Sequence, residues 1–186
     1  MNIPTLVTPR LELRPWGMGD VDRLFAILQE PGILQYFPNP AAPSRVWVEK
    51  YIRHHRQHWQ ERGYGHWALV DRKNGLLAGW VGLEYLPELE QAEIAYLLSS
   101  ETKGRGFATE AAQAALSYGF KTCGLKEIIG LVHPGNTASI RVLEKCGLKF
   151  SNQLALWGLD LMRYRGDESS CLIAPGSSPG QNQAPG

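Results

Sequence analysis

The apolar residues of this chain change their period once, near residue 100, and that change restricts the fold to a sheet that acquires helices partway along. Before it, His66 to Asp71, Leu76 to Tyr85 and Gln91 to Leu98 read as three strands of an antiparallel meander. Lys73-Asn74-Gly75 joins the first two, and Asn-Gly marks a hairpin there because both residues tolerate positive φ. After it, Phe107 to Lys121 is helical, with Ala108, Ala111, Ala112, Ala115, Leu116 and Gly119 on one stripe. A stripe of such small residues lets the helix lie close to a sheet.

The remaining segments fit the same layers. Leu11 and Leu13 alternate with Arg10, Glu12 and Arg14 as in a half-buried strand stopped by Pro15. Asp20 is expected to cap a helix carrying Val21, Leu24, Phe25 and Leu28, and a second helix is expected from Ser44 to Gly63. Glu127 to Val132 reads as a strand, and Asn136 as the N-cap of a helix that runs through Lys145 and stops at Gly147. Leu148 to Phe150 and Leu156 to Tyr164 are expected as closing strands. The class is α/β with a mixed sheet. From Gly166 to Gly186 the composition turns to Gly, Pro, Ser, Gln and Asn, so residues 1–165 are expected as one domain and 166–186 as a disordered tail with an apolar Cys171-Leu172-Ile173 patch.

Charge and cysteine content exclude several functions. Nineteen Lys+Arg against 18 Asp+Glu leave a net charge of +1, so no electrostatic footprint for nucleic acid or an anionic membrane exists, and an anionic ligand must be gripped locally. Three cysteines without a C-x-x-C pair argue against a disulfide framework or zinc ribbon and suit a reducing cytoplasm. No apolar run approaches a membrane span, and the first residues lack an export signal.

Two segments carry chemistry. Lys103-Gly104-Arg105-Gly106-Phe107-Ala108-Thr109-Glu110 lies between a strand and a helix. Glycines there let main-chain N–H groups curl around a ligand, and the helix N-terminus adds donors and a positive dipole, a combination that grips phosphate. The spacing is neither that of a P-loop nor of a dinucleotide fingerprint, and a plain glycine turn fits equally well. The second segment is His133 to Leu148, where Asn136 and Ser139 share a helix face near the end of a strand, a common ligand position in open α/β sheets. Asn136 as a simple cap and Ser139 as an ordinary surface residue fit this helix alone.

Taken in this order, the two segments resemble the GNAT superfamily of acyl-CoA-dependent N-acyltransferases. Thr8-Pro9-Arg10-Leu11-Glu12-Leu13-Arg14-Pro15-Trp16 with Asp20, and Glu93-Ile94-Ala95-Tyr96-Leu97-Leu98, are similar to the RimJ/RimL branch that acetylates ribosomal-protein N-termini. The match runs from about Thr8 to Tyr164. The resemblance implies acetyl-CoA as cosubstrate, with Tyr96, Leu97 and Leu98 offering backbone groups to its pantetheine arm. It implies Lys103, Gly104, Arg105, Gly106, Phe107, Ala108 and Thr109 as the pyrophosphate loop, Lys103 standing where many members have Gln or Arg. It implies Asn136 on the coenzyme side and Ser139 as a hydrogen-bond donor to the leaving sulfur. Many GNAT enzymes use a Tyr acid on this last helix; Leu143 occupies that position here, so acid catalysis from it is not expected.

Acetyl transfer needs a neutral amine, a donor for the developing oxyanion and a departing thiolate. Thiols ionise near pH 8.5, so Ser139 is expected to help without being essential. Glu93 is the first choice of base, directly or through water, and Glu84 the second. Both also fit as solvent-facing strand residues, and Glu88 and Glu90 add negative charge nearby. Phe37, Trp47, Tyr51 and Trp59 are candidates to line the acceptor groove or, equally, core. His54 and His58 share a helix face, but Arg53 and Arg56 flank them and no third ligand is near in sequence, so no metal is expected. The acceptor is a primary amine, either a protein N-terminus or a polyamine or antibiotic; a non-catalytic acyl-CoA sensor and a nucleotide-binding module are the rivals. Oligomeric state, homodimer included, stays open.

Overall fold

A computed structural model describes residues 3–171. The strand β3 (His66–Asp71) is buried at all six positions, although its sequence alternates little. The reason is that both faces of its sheet are covered. Trp67 and Leu69 pack into one core with Leu83, Phe107, Ala111, Ala115 and Leu143. Their neighbours Ala68 and Val70 enter a second core with Leu24, Ile27, Val48, Ile52 and Trp80.

Eight strands form that sheet. In chain order they are β1 (Leu6–Val7), β2 (Leu11–Arg14), β3, β4 (Leu76–Leu86), β5 (Gln91–Leu98), β6 (Ile128–Val132), β7 (Lys149–Leu156) and β8 (Leu159–Gly166). Their spatial order is β1-β2-β3-β4-β5-β6-β8-β7, antiparallel except where β5 meets β6. The helices are α1 (Val21–Leu28), α2 (Arg45–Arg62), α3 (Phe107–Lys121), α4 (Thr137–Lys145) and the short α5 (Glu168–Cys171). The mixed α/β fold expected from the sequence is the fold observed.

Local chemistry explains the close layers. Ser44 Oγ accepts from Trp47 N–H to start α2, and Gly63 ends it at φ 75°. The small-residue face of α3 presses on the sheet so closely that a Cβ at Gly119 would lie 2.6 Å from Leu83 Cδ1 and 2.8 Å from Ile128 Cδ1. Close packing of this kind contributes through the Leu and Phe side chains it buries, ~1.5–3 kcal/mol each.

Several expectations are corrected. Asp20 makes no side-chain cap on α1; its carboxylate instead accepts from both Arg14 Nη atoms, at 2.6 and 2.8 Å, and from Gly17 N–H. The Arg14 pair outcompetes a cap because a bidentate guanidinium bond is charge-assisted. In the β3–β4 turn only Gly75 takes positive φ, and Gly75 N–H reaches back to Asp71 O. The first closing strand runs on to Leu156 and the second starts only at Leu159 and reaches Gly166; between them Trp157-Gly158, inside the expected second strand, forms the turn, with φ of 53° and 77°, values that suit a tight hairpin. Gly166 belongs to β8 rather than to a tail, and α5 follows with Cys171 buried. Glycine permits this: a Cβ at Gly166 would lie 2.4 Å from Cys171 Sγ. The rest of the expected tail, 172–186, lies outside the described residues.

Candidate active site

The site begins where the sheet opens. β5 pairs with β6 only at Ala92 and Glu93, and beyond them the two parallel strands have no partner in each other. A cavity of about 570 Å³ occupies the opening, lined by Glu93, Ile94, Ala95 and Tyr96 from β5, Leu131 and Val132 from β6, and Asn136, Ser139 and Leu143. On the far side Trp80, Glu84, Tyr85 and Glu88 continue the wall, and Phe37 and Trp157 close over it. Tyr36 ties the roof down by donating to Gly135 O at 2.9 Å while stacking on His133.

Glu93 is the most unusual group in this wall. Only 9% exposed, it accepts one hydrogen bond, from Leu131 N–H at 3.1 Å. Burial pushes its carboxyl up to about 8, against the pull of that amide and with the repulsion of Glu84 adding to the rise. Glu84 stands directly across from it in the β4–β5 register, and burial raises its pKa as well. Glu88 lies further out, held below the usual carboxylate range by the indole N–H of Trp157 at 3.0 Å. The cavity lining thus holds three carboxylates and neither lysine nor arginine.

The two faces expected of the coenzyme segments are separate in the structure. Gly104 and Gly106 both take the left-handed conformation, φ 76° and 77°, and Lys103 to Gly106 are exposed. Lys103 N–H is used on Ser100 O, whereas α3 starts at Gly106 without a side-chain cap. The amides of Gly104 through Thr109 therefore remain as donors among the described residues. Thr8 and Arg10 brace this loop: Glu110 accepts from Thr8 Oγ1, Arg10 N–H and Arg10 Nε, and Arg10 Nη1 donates to Arg105 O at 2.7 Å. Arg105 pairs with Asp71 and covers the Phe107 ring. Beside the loop, Pro9, Arg10, Arg72, Lys73 and Arg105 border a second cavity of about 390 Å³, together with Asp71, the partner of Arg105. An uncapped helix end with free amides and basic neighbours fits an anionic diphosphate.

Asn136 and Ser139 lie on the cavity, and the Asn136 cap is real: its Oδ1 accepts from Ser139 N–H at 3.2 Å. Tyr96 contributes more than backbone. Its hydroxyl donates to Ser139 O at 3.2 Å and, being buried, holds its proton well above the usual phenol range. Leu143 is 2% exposed and packs on Gly130, as a non-catalytic residue would. Of the expected groove aromatics only Phe37 lines the cavity; Trp59 is core, 1% exposed, and Trp47 is surface-exposed, stacked on Tyr51. Glu90, at positive φ (53°), is not among the residues that line it.

Sequence reasoning missed Trp80 and His66, whose rings stack at 4.5 Å. No local pattern marks them, because their partners come from α2 and β4. The same long-range pairing bears on the expectation of no metal, which rested on the lack of a third ligand near His54 in sequence. The fold brings Glu84 alongside His54 and His55.

The Acetyltransferase (GNAT) domain family matches residues 10–149, and the chain belongs to that family. It is an acetyl-CoA-dependent N-acetyltransferase. The uncharacterized protein YkkB of Bacillus subtilis strain 168 is 33% identical over 172 residues, 88% of this chain and 96% of that one. The spermidine N(1)-acetyltransferase of Escherichia coli strain K12 is 24% identical over 177 residues, 92% of each. The crystal structure of an acetyltransferase from Agrobacterium tumefaciens strain C58 superposes with a TM-score of 0.80 at 27% identity, covering 90% of this chain and 96% of that one. Among the described residues no helix is long and apolar enough to cross a membrane.

Proposed function

We propose that the acetyl group passes to the α-amine of a protein N-terminus, by direct attack within a ternary complex and with Glu93 as the base. The observation that carries this reading is a buried carboxyl with a pKa of about 8 at the point where β5 and β6 part. An α-ammonium ionises near 8, so its proton moves to the ionised form of Glu93, which grows toward pH 8 and above, almost without cost, whereas a lysine-type ammonium near 10.4 gives it up at about 3 kcal/mol.

Acetyl-CoA supplies the acyl group as a thioester. The chain's own residues hold and align it: the amides of Gly104 through Thr109 and the basic groups beside them receive the diphosphate, while the unpaired edge of β5 at Tyr96, Leu97 and Leu98 receives the pantetheine arm. Glu93 takes a proton from the amine, and Glu84 and Glu88 hold the remaining positive charge. Ser139 donates toward the sulfur. The motif at Thr8 to Trp16 supports the RimJ/RimL-like assignment, since its Thr8 and Arg10 brace the loop through Glu110. Three free thiols agree with a cytoplasmic setting.

A second reading, a polyamine acceptor, is favoured by the additional carboxylates Glu84 and Glu88. Thiol release from acetyl-CoA over a panel of N-terminal peptides, polyamines and aminoglycosides decides between them. The peptides are expected to give the highest kcat/KM. Turnover with spermidine alone would transfer the assignment to the second reading, and no turnover with any amine would leave an acyl-CoA sensor.

A further inference from the structure

At one wall of the acceptor cavity, α2 and β4 bring two histidines that acetyl transfer does not use up to Glu84 of the cavity lining. His54 and His55 on α2 and Glu84 on β4 each offer one ligand atom, and these atoms lie within 4.8 Å of one another. The three range from exposed His54 through half-buried Glu84 to His55, which is 2% exposed.

Two buried nitrogens at this place have no hydrogen-bond partner. One is His55 Nδ1; the other is Nε2 of His66, also 2% exposed, which sits 3.7 Å from Glu84 Oε2, too far for a hydrogen bond. Buried polar nitrogens are nearly always paired, so the unpartnered Nδ1 of the almost fully buried His55, a residue grouped with His54 and Glu84, points to a ligand at this place. The other ring nitrogen of His66 is already engaged, with Tyr51 Oη at 2.8 Å.

We infer that His54, His55 and Glu84 form a binding site for a zinc-like divalent cation at this wall of the acceptor cavity, with His66 orienting the Glu84 carboxylate. Two imidazoles and one carboxylate are a donor set that divalent zinc favours, leaving a fourth position for water. Tetrahedral coordination needs donors roughly 3.4 Å apart. From ligand atoms that now lie within 4.8 Å of one another, binding then requires the exposed His54 ring and the Glu84 side chain to turn inward. In the tautomer in which His66 Nδ1 accepts from Tyr51 Oη, 2.8 Å away, Nε2 carries the hydrogen that faces Glu84. Such an outer donor fixes a ligating carboxylate in place. Of the charged groups nearby, Glu88 lines the same cavity wall and Arg53 of α2 is engaged with Glu49, while Arg56 lies on the same helix.

A cation bound there neutralises Glu84 and weakens the hold on a charged amine. This consequence rests on the acceptor reading given above; the binding site itself does not. The test uses tag-free full chain, stripped with chelator and titrated with cobalt chloride and, separately, with zinc chloride against a chromophoric chelator. One equivalent per chain is expected, with the visible absorption of four- or five-coordinate cobalt. Both His54→Ala and Glu84→Gln are expected to weaken zinc binding at least tenfold, while His133→Ala leaves it unchanged. His54 is exposed, so its variant keeps the fold. Absence of the cobalt spectrum, or zinc uptake indifferent to both variants, overturns the site. Zinc binding that leaves the KM for amine unchanged overturns only the coupling to the acceptor.

Discussion

Replacing Glu93 by Gln keeps the shape of the side chain and an oxygen for Leu131 N–H, and removes the titration. The consequence for stability follows from where the proton is held. In the unfolded chain this carboxyl ionises near 4.5; in the fold burial keeps it protonated up to about 8. Between those values the native state binds one proton more than the unfolded state, so stability falls as pH rises, by ~1.4 kcal/mol per pH unit. The contribution is fully present below pH 4.5 and is gone above pH 8. The Gln variant lacks this slope. Urea unfolding of both proteins at pH 5, 6.5 and 8 reads it directly: relative to wild type, the variant is expected to gain about 4 kcal/mol between pH 5 and pH 8. The same substitution is expected to lower kcat/KM by about a hundredfold, the usual worth of a general base, with affinity for coenzyme A unchanged. Parallel stability curves would refute a buried carboxyl that holds its proton to pH 8. An unaltered pH profile of kcat/KM would remove Glu93 from the reaction.

Three further perturbations test other parts of the structure. Gly106→Ala forces a Cβ onto a residue at φ 77° and 3.4 Å from Arg10 Nη2; the left-handed strain of ~1–2 kcal/mol distorts the loop, and the KM for acetyl-CoA is expected to rise about tenfold while the KM for amine holds. Ser139→Ala is expected to lower kcat less than tenfold, because a thiol with a pKa near 8.5 leaves with little help; steady-state kinetics at pH 7 checks it. Gly119→Ala brings a methyl to 2.6 Å from Leu83 Cδ1; separation of α3 from the sheet is expected to cost about 1–3 kcal/mol, seen as a lower Tm in calorimetry.

What could be read from the sequence was what local pattern encodes. The strands of the meander, the Ala-rich α3 and the capped ends of α2 and α4 follow from period, small residues and cap chemistry within a few positions. Features set by distant partners were hidden. Asp20 looked like a cap because nothing local shows that Arg14 claims its carboxylate. Gly147 looked like an ordinary helix stop and Gly166 like the start of a tail, yet a Cβ at either would strike Ser170 or Cys171, because α5 packs there. The candidate site divided along the same line. The glycine loop and the Asn136 helix were visible as contiguous segments, and Glu93 as a strand residue beside them. Its burial and its register opposite Glu84 arise only when β4, β5 and β6 assemble, and the His55–His66 stack only when α2 folds over β3.

Residue-resolved amide hydrogen exchange, with and without coenzyme A, tests most directly whether the Lys103 to Thr109 turn grips the diphosphate through its main chain. Exchange at Gly104 through Thr109 is expected to slow strongly on binding, together with the free edge of β5 at Tyr96 to Leu98. Saturation with coenzyme A that leaves those amides exchanging at their unliganded rates would contradict it.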